Sequence, residues 1–161
     1  DLSQFVTLAS TPVIIKEEVR FVNAQERNQK QQALLAFVEL WKRAWESDDV
    51  EHYLSFYSEK FRTGGSNYNS WAKRKRVLNK RIEQRKIHIS DLSILESKNV
   101  VHVRFVQDYS SSNITDIGMK ELFITQENGQ YKIISENWSR LKSPQPATLQ
   151  YAYQDSEESA L

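Results

Sequence analysis

The sequence predicts an α+β domain in which about three amino-terminal helices are wrapped by a cone-shaped, curved antiparallel sheet. Three observations lead there. Apolar residues recur every three or four positions between Gln32 and Ile82, the period of a helix with one buried face. After Arg85 the period falls to two, through four successive segments. The change of period happens once, so helices and strands are segregated along the chain. Both apolar surfaces then leave water together only if the sheet curls around the helices and encloses a cavity.

Thr11-Pro12-Val13-Ile14-Ile15 reads as a short strand, and the glutamine-rich stretch from Asn23 to Gln32 suits either a linker or the exposed start of a helix. Leu34, Val38, Trp41 and Trp45 form the stripe of the first core helix, with Phe37 and Ala44 widening it. Ser47-Asp48-Asp49 supplies capping side chains for a second helix, whose stripe is Val50, Tyr53, Leu54 and Tyr57. Gly64-Gly65 breaks the chain as a loop. Asn67 or Asn69 can cap a third helix reaching to about Ile82, with Trp71, Lys75, Leu78 and Ile82 facing inward.

The first strand of the sheet opens with Ile87, Ile89 and Leu92. Val101, Val103, Phe105, Gln107 and Tyr109 share one face of the second. Met119, Glu121 and Phe123 share a face of the third, and Tyr131, Ile133 and Ser135 belong to the fourth. Turn residues fall between them at Ser97-Lys98-Asn99, Ser110 to Asn113 and Asn128-Gly129. Ser143-Pro144-Gln145-Pro146 then ends the order. The expected organisation is residues 1–25 as the end of an upstream domain or a linker, 26–142 as the domain, and 143–161 as a polar tail. A start at Asp1 rather than Met fits a piece of a longer or processed protein.

Composition narrows the function. At 161 residues there is room for one ordinary core. Lys and Arg number 22 against 21 for Asp and Glu, so no large net charge points to nucleic acid. No apolar run approaches the roughly 18 residues of a membrane helix. The absence of cysteine excludes thiol nucleophiles, thiolate metal sites and disulfides. His52, His88 and His102 fall at no metal-ligand spacing, and no nucleotide-binding motif occurs, so no cofactor and no metal are expected.

The run WKRAWESDDVEHYLSFYSEKF, Trp41 to Phe61, resembles the opening of the nuclear transport factor 2-like superfamily, which includes the SnoaL-like and ketosteroid isomerase groups. ENGQYKIISENWS is similar to that superfamily's last hairpin. More narrowly, FYSEKFRTGGSNYNSWAKRKRV and RFVQDYSSSN resemble the accessory domain that follows the catalytic domain in periplasmic L,D-transpeptidase and L,D-carboxypeptidase proteins of Gram-negative bacteria. FVTLASTPVIIKEEVRFV looks like the last strand of such a catalytic domain entering its linker. The resemblance implies a periplasmic, peptidoglycan-modifying parent protein involved in cell shape. The catalytic cysteine and histidine of that family are not in this chain, so the chain itself is expected to perform no chemistry.

Candidate ligand-binding residues come from the inward faces. Trp41, Trp45, Phe56 and Phe61 are explained by core filling. Tyr57, Tyr68 and Trp71 flank the glycine loop and join a polar handle to an apolar wall, the kind that holds sugars and peptides. Lys75 interrupts an apolar stripe. An isolated buried ammonium is costly, so it snorkels to the rim, meets a carboxylate or contacts an anion in the cavity. Gln107 and Tyr109 end an otherwise apolar strand face at a polar mouth, and Glu121 has the parity of a pocket carboxylate that a salt bridge to Lys75 could satisfy. Lys73 to Lys86 is strongly basic, which a solvated helix face explains and which docking on an acidic partner would also use.

Three functions are compatible with these residues. The first is a noncatalytic binding module whose partner is a peptidoglycan fragment or a protein. The second is a small SnoaL-like or ketosteroid-isomerase-like enzyme with Glu121 or Glu136 as general base and Tyr109 or Tyr57 as hydrogen-bond donor. The third is a dimerisation domain forming a homodimer across the outer sheet face.

Overall fold

In a computed structural model the described residues are 24–141. The expected strand at 11–15 and the tail beyond 142 lie outside them. The chain divides into two compact units, Asp1–Ala33 and Leu34–Leu161, and the site lies wholly within the second.

Helix α1 spans Ala24–Glu46, so the glutamine-rich stretch is helix rather than linker. Residues 24–33 are exposed on every side; burial begins at Leu34 and continues through Val38, Trp41, Ala44 and Trp45, the expected stripe. Helix α2, Val50–Leu54, is capped by the Asp49 carboxylate, which accepts from the His52 amide at 3.1 Å. It stops after little more than one turn. Strand β1, Tyr57–Thr63, comes next, a correction to the reading that carried the second helix through Tyr57. β1 forms because the last strand is available as a parallel partner: the Ile133 amide donates to the Phe56 carbonyl at 2.9 Å, and Tyr57 registers with Ile133.

Gly64-Gly65 is the two-residue turn of a hairpin between β1 and the short β2, Ser66–Asn67. Both glycines have positive φ, as the tightest hairpin turns require. Helix α3, Tyr68–Asn79, is capped by Asn67, whose side chain accepts from the Ser70 amide at 3.0 Å. It buries Trp71, Ala72 and Lys75, and Ile82 stays buried beyond its end.

Strands β3 (Lys86–Glu96), β4 (Val101–Ser110), β5 (Thr115–Glu127) and β6 (Gln130–Arg140) form the expected antiparallel meander. The sheet order is β2-β1-β6-β5-β4-β3: six strands where four were expected, in a curved, unclosed, mostly antiparallel sheet. Asn128-Gly129 makes the β5–β6 turn between the paired Glu127 and Gln130.

Two irregularities decide which residues face the helices. Between Ser90 and Ser93 β3 carries one residue more than β4, with Asp91 in the left-handed region; Ile87 and Ile89 before it and Leu92 and Ile94 after it all pack on the core. In β6, Ile133 pairs with Ile124 but Ser135 pairs with Phe123, leaving Ile134 as an extra residue. A bulge of this kind reverses the parity of the strand beyond it. The inward residue after Ile133 is therefore Glu136, buried to 4% exposure, and not Ser135 as strict alternation predicts.

Candidate functional site

β4 places Val101, Val103, Phe105, Gln107 and Tyr109 on the inner face, all buried, as its alternation predicts. Trp41 meets Phe105 edge-on at 5.9 Å and Trp45 meets Tyr109 at 5.3 Å, which seats α1 on this strand. β5 registers Phe105 with Lys120 and Val103 with Leu122, so its inward set is Asp116, Gly118, Lys120, Leu122 and Ile124. This reverses the expected parity. Both faces of β5 carry apolar residues, and only the pairing with β4 chooses between them.

Glu121 is consequently on the outer face, half-buried, with one carboxylate oxygen 3.3 Å from His102 Nε2; it is not a pocket residue and makes no bridge to Lys75. His102 in turn stacks on Phe123 at 4.7 Å.

Two carboxylates face inward, Asp116, which Arg140 grips at 2.8 Å, and Glu136. The Glu136 Oε2 lies 3.5 Å from Lys120 Nζ and accepts from the Tyr57 hydroxyl at 3.2 Å. The Tyr57 oxygen receives Trp41 Nε1 at 3.0 Å and lies 2.8 Å from the Tyr53 hydroxyl. Since the Tyr57 proton is committed to Glu136, Tyr53 is the donor to Tyr57, and a directed chain runs Tyr53 to Tyr57 to Glu136. Burial, and then the nearby Glu136 charge, hold both phenols well above their ordinary pKa, so they act as fixed donors.

Lys75 does not snorkel away; it is 7% exposed, with Nζ 5.7 Å from the Trp45 ring centre and 5.9 Å from that of Trp71. Desolvation lowers its pKa to about 7, partly opposed by Glu136 and reinforced by Lys120, Arg74 and Arg85. Lys75, Arg85, Tyr53, Tyr109, Trp45 and Ile82 are among the residues lining a cleft of about 20 Å³, room for about one water molecule. Among the described residues no acidic side chain lines it. Arg85 is buried and reaches two backbone carbonyls at the long limit of hydrogen bonding, Ser47 at 3.5 Å and Asn79 at 3.4 Å. Burial raises the Tyr109 pKa, while Ser111 and Arg85 beside it pull the other way.

Of the seven expected site residues, Lys75 and Tyr109 line this cleft. Tyr57 and Trp71 are core residues, their rings 4.3 Å apart, and Tyr57 is the hub of the hydrogen-bond chain. Gln107 is fully enclosed, next to Tyr109 on the inner face of β4. Tyr68 is half-buried against Trp71 at 6.2 Å, and Glu121 is on the opposite face. Arg85 and Lys120 were not anticipated as site residues. Arg85 was hidden in a basic run that reads as solvated surface, and Lys120 by the β5 parity. Glu136 appeared only as an alternative base.

Among the described residues no group of three or more acidic or histidine side chains could hold a metal ion, and no helix is long and apolar enough to cross a membrane.

Comparison with known proteins agrees with the fold. Bd1075 from Bdellovibrio bacteriovorus is 35% identical over 77% of this chain and 46% of its own, with a TM-score of 0.70. The helical cell shape determining protein Pgp2 from Campylobacter jejuni, in a lysine-to-alanine mutant form, is 30% identical over 76% of this chain and 43% of its own, with a TM-score of 0.65. This chain thus spans less than half the length of either. An NTF2-like protein from Pseudomonas putida shares the fold alone, at 9% identity over 74% of this chain and 98% of its own, with a TM-score of 0.63. No curated protein matches the chain. A family model described as the Cds6 C-terminal NTF2-like domain matches residues 33–137, and the chain belongs to that family.

Proposed function

We propose that this chain is the noncatalytic, pocket-containing binding module of a periplasmic, peptidoglycan-modifying protein of the L,D-transpeptidase or L,D-carboxypeptidase kind, positioning a cell-wall fragment or a protein partner for a catalytic domain elsewhere in that protein. The observation that carries this reading is the division of charge inside the fold. The cleft wall has two cations, phenols and an indole but, among the described residues, no carboxylate. Of the inward carboxylates, Glu136 is tied to Lys120 and Tyr57 and Asp116 to Arg140. A general base needs a free lone pair in reach of substrate, and Glu136 spends its contacts on its neighbours. Resemblance to Pgp2, which is named for helical cell shape, supports the cell-wall context.

At about 20 Å³ the cleft receives the end of a ligand and not a whole saccharide or peptide. Titrating the ¹⁵N-labelled chain with soluble muropeptides and glycan fragments tests the reading. Saturable shifts are expected at Lys75, Arg85 and Tyr109. Shifts confined to the outer sheet face, or none at millimolar ligand, reject it.

A further inference from the structure

The inner face of β4 changes character along its length. Val101 and Val103 stand opposite Ile124 and Leu122 across an apolar floor, Phe105 stands opposite Lys120, and Gln107 and Tyr109 stand opposite Gly118 and Asp116. Gln107 is completely enclosed, yet neither its amide oxygen nor its amide nitrogen has a hydrogen-bond partner. The indole nitrogens of Trp71 and Trp138 lack one as well, whereas the Tyr109 hydroxyl has Ser111 and Arg85 beside it. Enclosed polar groups are nearly always satisfied in folded proteins, so a cluster of them marks a place where something else supplies the partners.

Two residues along the strand from Gln107, Tyr109 forms the cleft wall beside Lys75 and Arg85. The two β4 side chains sit about 7 Å apart, within the span of the first two peptide groups of an extended chain. Among the described residues no carboxylate lies within 4 Å of Arg85, whose guanidinium could grip one through two parallel N–H groups. A primary amide offers one donor face and one acceptor face, the complement of a peptide group.

We infer that the cleft is a receptor for the carboxyl terminus of an N-acylated amino acid or short peptide, with the terminal carboxylate against Arg85 and Lys75 and a peptide amide near the terminus against Gln107. The small volume restricts the terminal residue to one with little or no side chain. The inference rests on the binding reading above and deepens it by naming the ligand's chemical class.

The test compares four probes by ¹⁵N shift titration of the whole chain: N-acetylglycine, N-acetylglycinamide, acetate and inorganic phosphate. N-acetylglycine is expected to perturb the Arg85 and Gln107 side-chain signals and to bind about tenfold more tightly than the other three, the discrimination typical of a charge-assisted pair plus a satisfied amide. Gln107→Leu should bring N-acetylglycine down to the level of acetate and leave acetate unchanged. Arg85→Gln should weaken both acids. Gln107→Met, of similar length and without the amide, serves if the leucine variant loses its urea midpoint. Equal binding of acid and amide, equal binding of phosphate, or a preference that survives loss of the Gln107 amide overturns the inference. Glycan fragments that shift the cleft residues where N-acetylglycine does not would overturn it while leaving the binding-module reading in place; silence with every probe and with muropeptides removes both.

Discussion

Separating the partners of the Lys120–Glu136 pair is the sharpest test of the interior. The two side chains are 2% and 5% exposed and 3.5 Å apart. At an effective dielectric constant of about 20 their attraction is about 5 kcal/mol. Removing either partner strands the other charge in the core, which costs about 3–5 kcal/mol in comparable cases. Neutralisation sets a ceiling: at pH 7 an ordinary carboxylate can be protonated for about 4 kcal/mol and an ordinary ammonium deprotonated for about 5 kcal/mol. Glu136→Gln and Lys120→Met should therefore each lose about 3–5 kcal/mol in urea unfolding, out of a total stability on the order of 5–15 kcal/mol. The double variant leaves no buried charge at this position and should recover at least about 2 kcal/mol of the summed loss. Singles that each cost under about 1 kcal/mol, with additive effects, would mean that water reaches the pair and that the enclosed polar cluster does not exist in solution.

Lys75 gives a pH signature. Its folded pKa of about 7 lies below the unfolded value, so the unfolded chain binds more protons between about pH 7 and pH 10.5 and stability attributable to Lys75 rises across that window, by about 1.4 kcal/mol per pH unit; Lys75→Met should flatten the slope, as urea midpoints at pH 7, 8 and 9 would show. The same deprotonation removes a cation from the cleft, so binding of an anionic ligand should weaken as pH rises through 7 and lose that dependence in the methionine variant. Tyr57→Phe leaves Trp41 Nε1 without its acceptor and Glu136 without its hydroxyl donor, a loss of about 1–3 kcal/mol measurable by thermal unfolding. Gly118→Ala would put a methyl group 2.5 Å from the Ser139 carbonyl oxygen and 2.6 Å from the Trp138 ring, so it should cost about 1–3 kcal/mol and change tryptophan fluorescence, whereas unchanged emission and stability would show that Trp138 does not cover this strand.

Much of the fold was legible because its elements obey local rules. The stripe from Leu34 to Trp45, the caps at Asp49 and Asn67, the β4 alternation and the Asn128-Gly129 turn all depend on residues a few positions apart. β1 was not legible, because Tyr57 to Thr63 becomes a strand only through a partner more than seventy residues away. Taken by itself, Val50, Tyr53, Leu54 and Tyr57 is an acceptable helical stripe.

The candidate site was half legible: Arg85 was masked by the basic run around it, and the strand residues that escaped notice did so for one physical cause. Lys75 stood out as a cation in an apolar stripe, and Gln107 and Tyr109 as polar ends of an apolar strand. The charges that surround them were lost because strand parity is a relative quantity. A single extra residue in β6 turns Glu136 inward, and the pairing of Phe105 with Lys120 turns Lys120 inward and Glu121 out. Neither fact resides in the strand that carries the residue. The bulge therefore keeps the carboxylate opposite Leu122 and within reach of Lys120 and Tyr57, and deleting Ile134 should preserve that placement. With Ile134 gone, Ile133, Ser135 and Glu136 alternate regularly opposite Ile124, Phe123 and Leu122, so Glu136 still faces the core and Lys120 keeps its counter-charge. The deletion variant should then lose less stability than Glu136→Gln, and adding Glu136→Gln to it should cost nearly as much as that substitution costs in the parent chain. An addition that costs almost nothing would show that the deletion had turned Glu136 outward and that the pairing with β5 does not hold it inside.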